Sequence, residues 1–75
     1  MTVNEAIKIL MDNKKGTVTI AYDYGDKFVL SIQNGRSFLD GLYSIDKKSK
    51  EIKEFSPFAD MRKWREVCKN PVYRK

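Results

Sequence analysis

One cysteine, ten carboxylates and fifteen basic side chains are nearly all that this 75-residue chain offers for chemistry, because it contains no histidine. Without an imidazole there is no Ser-His or Cys-His pair to activate a nucleophile, and the commonest metal ligand is missing. Zinc would need several thiolates, and Cys68 stands alone. Lys69 and Arg65 could favour a Cys68 thiolate. The residue falls near the C-terminal end of a predicted helix, however, where the dipole opposes negative charge, so it reads as a small buried hydrophobe. Asp23 and Asp26 share one predicted turn, and Glu51 and Glu54 share one predicted strand. Neither pair has a neighbour that would tune it for acid-base work, so they read as turn formers and surface charges. The four glycines are isolated and suit caps and turns rather than a phosphate-cradling loop. The sequence therefore assigns no catalytic residue, no cofactor and no metal site, and the expectation is a protein that is not an enzyme.

Charge is the more informative property. Residues 1 to 40 hold five basic and five acidic side chains, whereas residues 41 to 75 hold ten basic and five acidic, so the whole net charge of +5 arises in the second part. Arg62, Arg65 and Lys69 fall within about 60° of one another on a helical wheel, beside the apolar stripe, and form a basic ridge that Arg74 and Lys75 extend. Arginine presents a planar fork of donors, and concentrated positive charge steers anionic partners, so the ridge suits phosphates or acidic protein side chains. The plain alternative is a solvated helix face that aids solubility. A ridge this short would neutralise few phosphates, making any nucleic-acid binding weak and strongly salt-dependent. Of the aromatics, Trp64 shares a helical face with Met61 and Cys68 and reads as the anchor of its helix on the sheet. Tyr24, in a turn, and Tyr73, in the tail, are the better candidates for exposed contacts. The expected partner-binding set is Arg62, Arg65, Lys69, Tyr73 and Arg74.

Length implies a single small domain spanning residues 1 to 75, with little room for a deep cleft. No stretch approaches the roughly 20 apolar residues needed to span a bilayer. The beginning of the chain lacks a basic segment followed by an apolar one, which argues against a signal peptide. One cysteine permits no internal disulfide. The expected compartment is the cytoplasm, without membrane association.

These side chains must be positioned by helices and strands that the pattern prints clearly. Thr2 and Glu5 form a capping box, and Val3, Ala6, Ile7 and Leu10, with Ile9 at the edge, give the first helix one apolar face. Lys14 and Lys15 suit its C-terminal end, which Gly16 can close in the left-handed conformation. Residues 17 to 23 and 27 to 33 read as paired strands. Their triplets Val18, Ile20, Tyr22 and Phe28, Leu30, Ile32 share one face only if the loop is odd, so an odd loop at Tyr24-Gly25-Asp26 is expected. Asn34 to Ser37 reads as a turn and 38 to 41 as a connector. Strands at about 41 to 46 and 51 to 55 form a second hairpin, with Asp46 capping its turn and Lys50 where glycine would cost least. Ser56 as N-cap, Pro57 at the first position and Asp60 in the first turn start the second helix. Met61, Trp64 and Cys68 line its inner face, bordered by Phe58 and Val67, and Asn70-Pro71 stops it. The tail from Val72 to Lys75 is either frayed or docked by its two apolar residues. The result is an α+β fold: a four-stranded antiparallel meander flanked by N- and C-terminal helices, α-β-β-β-β-α, with both helices on one face. A homodimer through the mildly polar free face, or through an edge, fits such a sheet.

The segment from 40 to 69, with Tyr43, Ile45, Asp46-Lys47-Lys48, Glu51-Ile52-Lys53-Glu54-Phe55-Ser56-Pro57 and Asp60, resembles small uncharacterised proteins encoded by bacteriophages and prophages. Such relatives commonly carry Thr-Gly where this chain has Ser49-Lys50. The resemblance carries no activity to transfer. It implies a phage-related role in the cytoplasm of a bacterial host, as a non-enzymatic protein-interaction module, accessory or inhibitory, acting on a host protein. The alternative from a different class is a weak, salt-dependent nucleic-acid-binding protein using the basic C-terminal helix, with Lys47 and Lys48 contributing.

Overall fold

The computed structural model describes residues 1 to 33 and 41 to 75; the turn and connector expected between them lie outside the described residues. The chain runs α1 (Val3–Asn13), β1 (Thr17–Asp23), β2 (Lys27–Gln33), β3 (Gly41–Asp46), β4 (Ile52–Glu54), a 3₁₀ turn (Pro57–Asp60), α2 (Met61–Cys68) and β5 (Tyr73–Arg74). The sheet is antiparallel throughout, in the order β4-β3-β2-β1-β5. It has five strands rather than the expected four, because the tail pairs with β1 through Ile20 with Arg74 and Ala21 with Tyr73.

Thr2 caps α1 as the sequence implies, its hydroxyl accepting from the Glu5 amide at 3.2 Å. The Glu5 carboxylate does not complete the box but lies 3.6 Å from Lys50 Nζ. Ala6 and Leu10 are fully buried against Val18, Ala21, Phe28, Leu30, Ile32 and Ile45, with Val3, Ile7 and Ile9 packed around them. Each fully buried Leu or Ile contributes about 1.5–3 kcal/mol of transfer free energy, so this layer is the main source of stability. The helix ends with Lys14 in extended conformation, not at a left-handed Gly16.

The first hairpin corrects the expected register. Tyr24 N–H donates to the Lys27 carbonyl at 2.9 Å, closing a two-residue loop at Gly25-Asp26, and the adjacent pairs are Asp23 with Phe28, Tyr22 with Val29 and Ile20 with Ser31. An even loop alone would turn the two apolar triplets to opposite faces. The register then shifts between Val18 and Ile20, so Thr19 is an extra, unpaired residue whose Oγ1 donates to the Ser31 carbonyl at 3.5 Å. This β-bulge pairs Val18 with Ile32 and returns Val18 to the α1 face, while Ile20 and Tyr22 stay on the other.

The second correction follows. Tyr22, Val29 and Ser44 are cross-strand neighbours, all buried, and none belongs to the α1 cluster. Phe55, which continues β4 by donating its N–H to the Leu42 carbonyl, has the same parity and turns the chain onto that side. Trp64 of α2 packs on Tyr22 with ring centroids 5.0 Å apart. The helices therefore lie on opposite faces of the sheet, in three layers.

Four of the described residues have positive φ, Gly16, Gly25, Gly41 and Lys50, and Lys50 and Gly16 are the informative cases. Lys50 has φ +63° in the β3–β4 turn, where Asp46 Oδ1 accepts from the Lys48 and Ser49 amides at 2.8 Å each. Those amides, Ser49 foremost, hold the Asp46 carboxyl below the usual range. Gly16 has φ +121°, and a Cβ there would stand 2.5 Å from the Gln33 carbonyl oxygen. Lys50→Gly should raise stability by about 0.5–1 kcal/mol, since a left-handed non-glycine residue is strained. Gly16→Ala should lower it by about 1–3 kcal/mol, through strain and a backbone clash. Urea denaturation of both variants checks the pair, and a lower midpoint for Lys50→Gly would contradict the turn geometry.

Candidate interaction surface

The surface is built from the 3₁₀ turn, α2 and the sheet face beneath them. Ser56 precedes the turn in extended conformation without a side-chain cap, and Pro57 opens it. The expected single helix from Pro57 is interrupted because Asp60, at φ −147° and ψ 82°, leaves helical geometry; its carboxylate then caps α2 by accepting from the Lys63 amide at 3.1 Å. The interruption swings Phe58 out to 80% exposure instead of bordering the core, and Met61 is exposed as well.

Trp64 anchors α2 as expected. Its ring meets Tyr22 edge-on at 5.0 Å and Phe55 at 5.5 Å, and Phe55 meets Tyr24 edge-on at 5.1 Å. Edge-to-face pairs of this kind add roughly 0.5–1.5 kcal/mol each beyond the area that they bury. Lys63 Nζ lies 4.3 Å from the Tyr24 ring centroid, and Lys27 Nζ lies 5.5 Å from Tyr24 and 5.6 Å from Phe55. Tyr24 is thus half-buried and occupied by two ammonium groups rather than free for contact. Burial first, and then the Cys68 thiol beside it, push the Tyr22 hydroxyl pKa up, with Arg74 opposing. Cys68 is half-buried on this inner side, in keeping with a packing role.

With Trp64 facing the sheet, the helical period turns Arg62, Arg65 and Lys69 to the far side of α2, opposite the inner stripe rather than beside it, and all three are exposed. Lys69 Nζ lies 3.2 Å from Glu66 Oε1; Arg62 and Arg65 have no ion-pair partner among the described residues. Arg74 is exposed in β5, its register with Ile20 placing it on the α2 side of the sheet. Tyr73, taken from the sequence as an exposed contact, has the opposite parity: it is half-buried and packs against the α1 core cluster. The structure thus groups Arg62, Arg65 and Lys69, places Arg74 on the same side, and separates Tyr73 from them. Phe58 and Met61 are exposed where the chain enters α2, and the sequence pattern missed their exposure because both fit a continuous amphipathic helix.

Beside this surface, a depression of about 100 Å³ is lined by Asp26, Lys27, Ser44, Asp46, Glu51 and Lys53. Its three carboxylates interrupt the positive field where Lys27 and Lys53 would otherwise extend it. No three His, Cys, Asp or Glu side chains among the described residues are grouped to hold a metal ion. No helix among them is long and apolar enough to cross a membrane. No family model matches the chain, and no curated protein or solved structure shows significant similarity to it.

Trp64→Ala should release α2 while leaving the α1 side of the sheet folded, at a cost of about 2–3 kcal/mol for a large, partly buried ring. Thermal melting measures the loss, and ultraviolet titration should show the Tyr22 hydroxyl returning toward its ordinary pKa. A Tyr22 titration left unchanged would contradict the packing.

Proposed function

We propose that the chain is a non-enzymatic protein-interaction module that engages an acidic partner through the outer surface of α2. The observation that carries this reading is the pair Arg62 and Arg65, exposed side by side without counter-charges among the described residues, on a helix whose opposite side is fixed to the sheet by Trp64. Residues 61 to 69 hold four cations and one carboxylate, so the field there favours anionic groups. Arginine forks fit carboxylates in pairs, and a rigid helix holds them at low entropic cost. Resemblance of residues 40 to 69 to phage and prophage proteins supports a bacterial host protein as the target and an accessory or inhibitory role in the host cytoplasm.

Nucleic acid is the competing partner, favoured by the aromatic rings and lysines at the edge of α2 and disfavoured by the adjacent carboxylates of Asp26, Asp46 and Glu51. A bacterial extract passed over the immobilised chain at physiological salt decides between them. The expected result is retention of one or a few acidic proteins by the wild type and at least tenfold less by Arg62→Ala combined with Arg65→Ala. Retention of nucleic acid alone, released steeply with salt, would replace this reading with the competing one.

A further inference from the structure

Two exposed apolar side chains stand close together in the sequence, where the chain enters α2. Among the described residues the large apolar side chains left exposed are Met11, Phe58, Met61 and Val72. Phe58 and Met61 stand three residues apart at the start of α2, whereas Met11 is on α1 and Val72 lies beyond the end of α2, its amide donating to the Ala21 carbonyl just before β5. Phe58 is the extreme case at 80% exposure, and nothing in its own turn demands it: Pro57 begins the turn and Asp60 ends it, leaving position 58 free to be polar. Arg62 follows Met61 directly and Arg65 lies one helical turn on, although arginine is the scarcer base in the chain, four against eleven lysines. Phenylalanine, methionine and arginine are the residue types enriched at the centres of protein interfaces, where lysine is depleted.

Building on the interaction proposed above, we infer that Phe58 is the anchor of the docking surface and that the partner presents an apolar pocket rimmed by aspartate or glutamate. In this arrangement Phe58 enters the pocket with Met61 against its wall, and Arg62 and Arg65 reach the carboxylates around it. Charge argues against a second copy of this chain as the occupant, because two α2 surfaces would bring four cations and a single carboxylate each into contact. It argues equally for an acidic protein, since water is excluded around an apolar anchor and the flanking arginine–carboxylate pairs strengthen accordingly.

The test uses the protein retained from the bacterial extract, identified and purified, and measures its affinity by calorimetry for the wild type, Phe58→Ala, and Arg62→Ala with Arg65→Ala. Phe58→Ala should weaken binding at least tenfold at any salt concentration, with a melting temperature within a degree or two of the wild type, because the side chain contributes little to the fold. The arginine variant should lose affinity most at low salt. In parallel, benzoylphenylalanine placed at position 58 should crosslink to that same protein within an apolar segment flanked by acidic residues. An unchanged affinity of Phe58→Ala, with loss confined to the arginine variant, would overturn the anchor and leave the interaction itself standing. Crosslinking to nucleic acid or lipid, or failure of the chain to retain any protein, would overturn both.

Discussion

Loop length and a single unpaired threonine together determine how this sheet is used. With the two-residue loop at Gly25-Asp26, alternation alone would send Val18, Ile20 and Tyr22 to the face opposite Phe28, Leu30 and Ile32. The bulge at Thr19 splits the first triplet: Val18 joins Leu30 and Ile32 under α1, while Ile20 and Tyr22 remain on the other side. Ala21, small enough to lie beneath a helix, stands opposite Leu30 on the α1 side, the position that an odd loop would have given to Ile20. Both faces of β1 are consequently apolar, and each requires a cover. That requirement places α2 across the sheet from α1.

The two covers differ in kind. α1 is held by the fully buried aliphatic side chains of Ala6 and Leu10, with Val3, Ile7 and Ile9 partly buried around them, against a buried and largely aliphatic sheet face, an arrangement that yields much transfer free energy per residue. α2 contains no fully buried residue and rests on rings: Trp64 against Tyr22 and Phe55, with Tyr24 beyond. Aromatic contacts of this type fix orientation through edge-to-face geometry while sealing only one stripe of the helix. Lys63 and Lys27 close the rim of the ring cluster by lying over its faces, which removes them from the free cations. The outer arginines therefore stand on a helix that is oriented but not submerged.

Local chemistry made much of this legible in the sequence. Thr2 as a cap, Asp46 and Lys50 in the second turn, and Trp64 as the helix anchor each follow from one residue type at one position, and each stands in the structure with the expected geometry. The bulge was not legible, because Thr19 is as good a strand residue as its neighbours and an extra residue leaves no mark on composition. The wrong loop length followed from assuming perfect alternation, and the wrong side for α2 followed from the loop. β5 escaped because two residues cannot show a period. At the site, the grouping of Arg62, Arg65 and Lys69 was legible from helical spacing. The exposure of Phe58 was not, since it depends on Asp60 choosing to cap α2 rather than continue the turn.

Of the two routes to a homodimer that the sequence offered, the one through a free sheet face loses its premise in the three-layer arrangement, where α2 lies on that face. A sheet covered on one face would have needed a second copy to bury Val29 and Ser31, but these are already at 0% and 3% exposure within one chain. The edges are closed by strands too short to template another chain: β4 has three residues and β5 two. Lys53 on β4 and Arg74 on β5 add charge to those edges, a further barrier to edge-to-edge pairing. Phe58, Met61, Arg62 and Arg65, on α2 and its lead-in turn, are exposed beside an element that has no fully buried residue.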